Sequence, residues 1–313
     1  MSKAVVFDRF GTPDVLYVSE IENRPLNDSE ILIKNSFSAV NPIDYKIRNG
    51  SSFVCQKRKG IPFPWTLGFD AAGTVIKAGP LSRFKPGDRV AAKSGDADDP
   101  HGYQEELIVR DDQAVIIPKN VGFAEAAAII TVGLTALSII DKLPSTPGKV
   151  LVCGASGGVG HVLVQILKSK DWHVSAMCSS ENLSFVKALG ADDVYDYRQM
   201  PSGLEHQFVA VVDIPGDSIG IGLYPYLKDR GTLITVPTIT ATEVINSAPI
   251  ECGVTACGVM AEYSAERLSL LLELLDEKKV RPEITAVYSP EDVKKAHESI
   301  ESGHTRGKIL IEF

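Results

Sequence analysis

Apolar and polar residues are patterned differently in two parts of this chain. Between residues 3 and 121 the apolar runs are short, as at 31–34 and 90–93, and turns containing Gly and Pro separate them. Many short strands punctuated in this way predict a partly open β-barrel or a sandwich-like domain. Residues 123–140 are small and apolar, and they predict one or two closely packed helices.

From residue 149 onwards, apolar strands alternate with helices whose apolar residues recur at helical spacing. The predicted helices cover 159–170 and 181–189, and the predicted strands cover 150–153, 173–177, 194–196, 208–214 and 231–236. This order predicts a parallel, doubly wound sheet, so the expected fold class is α/β.

The end of the chain returns to a mixed pattern. It predicts helices at 264–279 and 290–302 and strands at 282–287 and 307–313. Because this mixture of short strands and helices matches that of the first domain, we expect the β-rich domain to be discontinuous. Residues 1–121 and 264–313 would form it, and residues 122–263 would form the doubly wound domain.

A glycine-rich turn joins the first strand of the doubly wound domain to its helix. In the register Ala155-x-Gly157-x-x-Gly160, Gly157 leaves room for a pyrophosphate and Gly160 lets the helix pack close to the strand. The helix N-terminus adds N–H groups and a positive dipole end. This predicts a dinucleotide site, and the alternative is a tight turn without a ligand. The candidate cofactor contacts are Ala155, Ser156, Gly157, Gly158, Val159 and Gly160.

Polar residues follow two other strands of this domain. Ser179 and Ser180 stand where NAD-binding enzymes carry an acid that would repel a 2′-phosphate. Their hydroxyls, with Asn182, can bond such a phosphate, which predicts NADPH; the alternative role of each serine is a helix N-cap. Pro237 and Thr238 follow the fifth strand, at the carboxyl edge of the sheet where such ligands bind.

Composition and charge exclude several classes of protein. The 313 residues carry a net charge of −8, which argues against a nucleic-acid-binding surface. The five cysteines form neither a disulfide framework nor a zinc set, and we expect a cytoplasmic location. The amino terminus predicts a strand rather than a signal peptide, and with no run of eighteen apolar residues we expect no membrane span.

Eight short segments together resemble one known family. They are NPIDYKIRNG (41–50), LGFDAAGTV (67–75), FKPGDRV (84–90), GYQEE (102–106), GLTA (133–136), the glycine turn, ALGAD (188–192) and GHTRGK (303–308). In this order and at these spacings the chain resembles the medium-chain dehydrogenase/reductase superfamily, in its zinc-free quinone oxidoreductase and enone reductase branch.

The resemblance implies a GroES-like catalytic domain, a Rossmann domain and a homodimer. It also implies NADPH-dependent hydride transfer to a quinone or an α,β-unsaturated carbonyl. The implied catalytic residues are Asn41, Asp44, Tyr45 and Lys46, and the further implied cofactor contacts are Thr131, Thr135, Tyr197 and Arg306. For Asn41 and Asp44, capping of a turn is an open alternative, as is a solvated surface position for Arg306.

The residues at the family's zinc positions do not favour a metal. Zinc-dependent members use a cysteine and a Gly-His-Glu sequence, and here Asn41 and Gly68-Phe69-Asp70 stand in those places. A lone carboxylate cannot hold zinc, so we expect no metal and reject a zinc alcohol dehydrogenase. The other alternative is an NADPH-binding sensor or structural protein without significant turnover, against which the intact glycine turn argues.

Overall fold

The computed structural model describes residues 1–95, 99–236 and 241–313. In chain order the strands are β1 (Ser2–Phe7), β2 (Tyr17–Ile21), β3 (Glu30–Val40), β4 (Trp65–Thr66), β5 (Asp70–Ala78), β6 (Arg89–Lys93), β7 (Glu106–Arg110), β8 (Ala114–Ile116), β9 (Lys149–Cys153), β10 (His173–Cys178), β11 (Asp193–Asp196), β12 (Phe208–Asp213), β13 (Leu227–Thr235), β14 (Thr255–Gly258), β15 (Ile284–Tyr288) and β16 (Lys308–Glu312). The α-helices are α1 (Pro42–Arg48), α2 (Val54–Lys57), α3 (Phe123–Ile140), α4 (Gly158–Lys168), α5 (Leu183–Ala188), α6 (Ala241–Asn246), α7 (Ala265–Asp276) and α8 (Val293–Glu301).

The chain divides into two compact units. Unit 1 contains residues 1–131, 263–278 and 282–313, and unit 2 contains residues 132–262 and 279–281. Both ends of the sequence therefore lie in unit 1.

Unit 1 is built on β3, the longest strand. Its eleven residues pair with β5, β7 and β16. Residues 31–34 pair with both β5 and β7, so these two strands lie on opposite edges of β3, and β16 pairs with residues 37–40 on the same edge as β7. The sheet runs β15-β16-β3-β5-β6-β8, and a smaller sheet has the order β2-β1-β4. Because β16 lies between β15 and β3, the end of the chain forms an interior strand of this unit.

Unit 2 contains the predicted doubly wound sheet. Its described strands are all parallel and have the order β11-β10-β9-β12-β13-β14. The strand β9 lies at its centre, and Val150, Leu151 and Val152 are fully buried, as expected for a strand covered on both faces. The predicted fold class is confirmed. The short edge strand β14 was missed, because its four residues carry no apolar alternation.

The predicted apolar segment at 123–140 is the single helix α3. It is long and apolar enough to cross a membrane, with a mean hydropathy of 2.0, although Glu125 and three hydroxyl residues interrupt the run. Because 72% of these residues are buried inside the protein, α3 has the environment of a core helix.

Candidate functional site

The glycine turn of unit 2 lies between β9 and α4, and two of its glycines, Gly157 and Gly160, have different structural roles. A Cβ at Gly160 would lie 2.2 Å from the Gly154 carbonyl oxygen, so only glycine allows α4 to approach the strand end. Gly157 is the N-cap residue of α4, and among the described residues its Cβ would meet only the Gly154 carbonyl oxygen, at 3.4 Å. Gly160 is thus required by packing, whereas the space above Gly157 is open to a ligand.

Some backbone N–H groups of this turn are bonded within the protein, and others lie at the N-terminus of α4. Those of Gly154 and Ala155 donate to the Met177 carbonyl, and that of Gly157 donates to the Gly154 carbonyl. The N–H groups of Gly158, Val159 and Gly160 belong to the first turn of α4, where a helix has no internal acceptors. Of the six predicted contacts, Ala155 is fully buried and holds the turn, while residues 156–159 are half-buried.

A second group of predicted residues lies where β10 and β11 end. These strands pair in parallel, and the Tyr197 N–H donates to the Cys178 carbonyl at 3.1 Å, so residues 179 and 197 leave the sheet side by side. Ser179 is the N-cap of a short 3-10 helix, and its hydroxyl accepts a hydrogen bond from the Asn182 side chain at 3.0 Å. Tyr197 is half exposed.

Arg198 is a basic residue at this place that the sequence analysis did not consider. Its guanidinium lies 5.1 Å from the centre of the Tyr197 ring, and its Nε donates to the Tyr197 hydroxyl at 3.3 Å. The Tyr197 hydroxyl raises the pKa of Arg198 further, so its positive charge is permanent. A cation therefore stands beside the strand ends where a 2′-phosphate was predicted.

The remaining predicted cofactor residues have mixed outcomes. Thr135 is buried within α3, and Arg306 is an exposed side chain 3.4 Å from the Glu283 carboxylate. Pro237 and Thr238 lie outside the described residues. Thr131 is half-buried and belongs to a hydrogen-bond network of unit 1.

In unit 1, the predicted catalytic residues Asn41 and Asp44 begin helix α1. Asn41 is its N-cap, Pro42 takes the first helical position, and the Asn41 N–H donates to Asp44 Oδ2 at 2.8 Å. Asp44 Oδ2 also accepts from the Tyr103 hydroxyl at 2.9 Å, and Oδ1 accepts from the Gly68 N–H at 3.1 Å. Asp44 is fully buried, so its carboxylate holds α1 in place and does not face a solvent-accessible pocket.

The Asn41 side chain joins a buried cation to a buried anion. Its Oδ1 accepts from Lys308 Nζ at 2.6 Å, and its Nδ2 donates to Asp70 Oδ2 at 2.8 Å. Lys308 Nζ also donates to the Val40 carbonyl at 2.8 Å. Asp70 Oδ1 accepts from both the N–H and the hydroxyl of Thr131, at 3.2 and 2.5 Å.

Burial controls the protonation of these groups. It raises the pKa of Asp44 to about 7, against the hydrogen bonds from Asn41, Tyr103 and Gly68 that favour the carboxylate. It also raises the pKa of Asp70, which the Lys308 charge opposes most strongly. Burial lowers the pKa of Lys308, which the charges of Asp70 and Asp44 oppose. The cluster holds one cation, Lys308, for two carboxyl groups. Because its pKa is about 7, the Asp44 carboxyl group is partly protonated near neutral pH.

Tyr45 and Lys46 differ from Asn41 and Asp44 in exposure. Both side chains are partly exposed, one and two residues beyond Asp44 on the same short helix. Among the predicted catalytic residues, these two can therefore reach a bound molecule, and the buried pair can position them.

The residues at the family's zinc positions do not fit zinc. The Asn41 oxygen is bound to an ammonium group, and Phe69 offers no ligand atom. Within the described ranges, no group of three or more His, Cys, Asp or Glu side chains could hold a metal ion. A cation already bound at Asn41 would repel a second one.

Sequence reasoning missed Lys308 and Tyr103 as partners of this cluster. For Lys308 a signal was present, because it stands directly before the apolar run at 309–311. A charged residue next to an interior strand needs a hydrogen-bonding or oppositely charged partner. No sequence signal connected Tyr103 to Asp44, because the two residues lie 59 positions apart and meet only in the folded unit.

Comparisons with known proteins agree with this architecture. The family model described as alcohol dehydrogenase GroES-like domain matches residues 27–132, and the one described as zinc-binding dehydrogenase matches residues 189–311. The GroES-like character predicted for the first domain is confirmed.

Individual relatives match over nearly the whole chain. The mitochondrial NAD(P)H oxidoreductase RTN4IP1 of Homo sapiens is 31% identical, over 98% of this chain and 88% of the relative. The 2-methylene-furan-3-one reductase of Solanum lycopersicum is also 31% identical, over 99% of this chain and 78% of the relative. The solved quinone oxidoreductase from Coxiella burnetii is 35% identical with a TM-score of 0.94, covering 100% of this chain and 99% of that one.

Proposed function

Because this chain belongs to the medium-chain dehydrogenase/reductase superfamily and is an oxidoreductase by its relatives, we propose that it is a zinc-independent, NADPH-dependent reductase of quinones or α,β-unsaturated carbonyls. The observation that carries the proposal is the intact glycine turn at the centre of the parallel sheet. It leaves first-turn N–H groups of α4 and the space above Gly157 available to a pyrophosphate.

The residues of unit 2 fit a nicotinamide dinucleotide. Residues 156–160 would hold the pyrophosphate, since a glycine at 157 leaves no side chain in its way. Ser179, Ser180 and Asn182 would bond the ribose and its phosphate, and Tyr197 would lie against them. When bound, the cofactor supplies the hydride, so the protein has to bind, orient and balance charge.

NADPH rather than NADH is supported by charge at the ends of β10 and β11. Arg198 offers a guanidinium fork, which suits a phosphate, and the serines offer hydroxyl donors. Two acids also lie near these strand ends: Glu181, in the first turn of a 3-10 helix where acids are favoured, and Asp196, the last residue of β11.

The acceptor end of the reaction is assigned to α1. As hydride reaches the β-carbon of an enone, negative charge develops on the carbonyl oxygen, and a hydrogen-bond donor aimed there lowers the barrier. Tyr45 is proposed as that donor and Lys46 as a nearby positive charge. Asn41 and Asp44 are proposed as positioning residues, because both are buried and bonded within unit 1. Zinc independence is supported by the Lys308 ammonium bound at Asn41.

The test is cofactor oxidation by the purified protein, with NADPH and NADH compared and 1,4-benzoquinone and a short-chain enone as parallel acceptors. Turnover with NADPH that chelators leave unchanged is expected, together with a zinc content far below one per chain by elemental analysis. NADPH binding without turnover on either acceptor would instead favour the sensor protein of the same fold.

A homodimer and a cytoplasmic location remain part of the proposal. The dimer is supported by β14, the edge strand of the parallel sheet, which is short and carries the uncharged side chains of residues 255–258. Light scattering at two concentrations tests the dimer, and fractionation of cells tests the location.

A further inference from the structure

The buried Asp44 carboxylate joins three segments of unit 1. Its Oδ2 accepts hydrogen bonds from the Asn41 N–H at 2.8 Å and the Tyr103 hydroxyl at 2.9 Å, and its Oδ1 accepts from the Gly68 N–H at 3.1 Å. All three partners donate, and an ionised carboxylate only accepts. The arrangement of donors therefore fits an ionised Asp44.

Protonation of Asp44 adds a proton that lacks an acceptor in this arrangement. Of the groups bonded to Asp44 in the described part of the chain, only the Tyr103 hydroxyl has an oxygen that can receive it. Tyr103 is fully buried, so water cannot accept the hydroxyl proton that Tyr103 then has to redirect. One proton is left unbonded, which costs free energy in a buried site.

His297 cannot serve as the missing acceptor. Its ring packs against the Tyr103 ring, with the two centroids 6.1 Å apart. Arg48 has only donors and lies 3.2 Å from Nδ1 of His297, so Nδ1 accepts and the proton of the neutral imidazole is on Nε2. Arg48 is held in place by the Gly11 carbonyl and the Glu301 carboxylate. Both imidazole nitrogens are therefore committed.

Two charged groups face Asp44 from other strands. Burial raises the pKa of Asp44 to about 7, and the charge of Asp70, on β5, adds to the rise, while the three donors oppose it. The charge of Lys308, on β16, attracts the ionised form. Burial and hydrogen bonding thus balance closely enough for both states of Asp44 to be populated near neutral pH.

We propose that Asp44 and Tyr103 form a proton-operated switch at the start of α1. The ionised carboxylate binds all three donors, and its protonation releases the Tyr103 hydroxyl and weakens the bonds to the two backbone N–H groups. The start of α1 is then held less firmly to the residues before β5, because Asp44 joins the two. The switch lies within unit 1 and needs no cofactor, so its test is independent of the proposed function.

The experiment is an infrared titration from about pH 5 to about pH 9. A protonated carboxyl group absorbs at a higher C=O frequency than a carboxylate, so a band from Asp44 should grow as pH falls, with a midpoint near pH 7. Asp44→Asn should lack this band. In Tyr103→Phe, which keeps the ring beside Gly68, the midpoint should rise by about one pH unit, because the carboxylate loses a donor. Tyr17→Phe, at an exposed position of β2, should keep the wild-type midpoint.

Hydrogen exchange separates a switch from a titration that moves nothing. Corrected for the intrinsic effect of pH, exchange of the amides of Asn41 and Gly68 should become about tenfold faster below the midpoint, as for the weakening of one hydrogen bond. In Tyr103→Phe this step should move with the midpoint. The amides of α7, in the same unit, are the control and should show no step.

An unchanged midpoint in Tyr103→Phe would overturn the proposal, and so would exchange of the Asn41 and Gly68 amides that stays constant across the midpoint. If Asp44→Asn does not fold, Tyr103→Phe decides alone, because a band whose midpoint it moves belongs to the carboxyl group that Tyr103 bonds.

Discussion

The guanidinium of Arg198 lies against the Tyr197 ring, with their centres 5.1 Å apart, at the carboxyl end of β11. We expect Arg198→Gln to weaken NADPH binding about tenfold and leave NADH binding unchanged, because NADPH alone offers a phosphate to a cation there. Fluorescence titration with both cofactors measures this. Lys228→Gln removes one positive charge at the start of β13 and is the control. Equal weakening of NADH would contradict the assignment.

Gly157 and Gly160 should respond differently to substitution. Gly157→Val is expected to abolish NADPH binding with little change in thermal stability, since its side chain would enter the open space above the turn. Gly160→Ala should instead lower the free energy of unfolding by about 1–3 kcal/mol, because its Cβ would overlap the Gly154 carbonyl. Titration and urea unfolding of both variants check this, and unchanged NADPH affinity in Gly157→Val would contradict the phosphate site.

Gly68 allows Tyr103 to approach Asp44. A Cβ at Gly68 would lie 2.4 Å from the Tyr103 ring, and its φ is +91°. Gly87 has a similar φ of +95°, but no described atom lies within 4 Å of its Cβ, so Gly87→Ala measures the backbone strain alone. We expect Gly68→Ala to destabilise the protein by about 1–3 kcal/mol more than Gly87→Ala in urea unfolding. Equal costs would show that the Tyr103 contact is unimportant.

His297 should make stability depend on pH. Burial, together with the Arg48 charge, lowers its pKa to about 3 from an ordinary value of 6.5. Arg48 lies 3.2 Å from Nδ1 and also contacts Glu301, and the Tyr103 ring packs against the imidazole. The folded state therefore binds a proton less readily than the unfolded state. The stabilisation that neutral His297 gives above pH 6.5 is lost as pH falls toward 3, by about 2 kcal/mol at pH 5.

The measurement is a difference between the wild type and His297→Gln. Asp44, with its pKa raised to about 7, loses stabilisation as pH rises from about 4 to 7 and so opposes His297 in the wild-type curve. Subtracting the variant cancels this contribution. The difference in free energy of unfolding should fall by about 2 kcal/mol between pH 7 and pH 5, and a constant difference would contradict the neutral buried state.

Tyr45 should matter more for enones than for quinones. Tyr45→Phe is expected to lower kcat/KM for an enone at least tenfold, because a carbonyl oxygen gains full charge there, and to affect a quinone less. Tyr17→Phe, at an exposed position of β2, is the matched control. Equal effects on both acceptors would argue against Tyr45 as a donor.

Local sequence patterns predicted the doubly wound sheet and the glycine turn, because strand, turn and helix follow one another there. The length of β3 was not predictable from the sequence. Its polar residues Lys34 and Asn35 break the apolar alternation, and they belong to the strand because they pair with β5. The same limit applies to Arg198, because only the pairing of β10 with β11 brings it beside Ser179.

The buried network shows the limit of motif reasoning most clearly. The sequence singled out the segment at 41–46, but it could not say that Asn41 and Asp44 are buried while Tyr45 and Lys46 are partly exposed. That division depends on Lys308, Asp70 and Tyr103, which arrive from three other strands and loops.

The place of β16 inside the sheet of unit 1 has a consequence for biosynthesis. During translation, β3, α1 and β5 leave the ribosome more than two hundred residues before Lys308 does. Until then Asn41 and Asp70 lack their cation and β3 lacks a neighbour. A nascent chain can complete the parallel sheet of unit 2 before residues 308–312 emerge, whereas the larger sheet of unit 1 gains its interior strand β16 only afterwards, so an incomplete chain can hold a finished unit 2 and an unfinished unit 1.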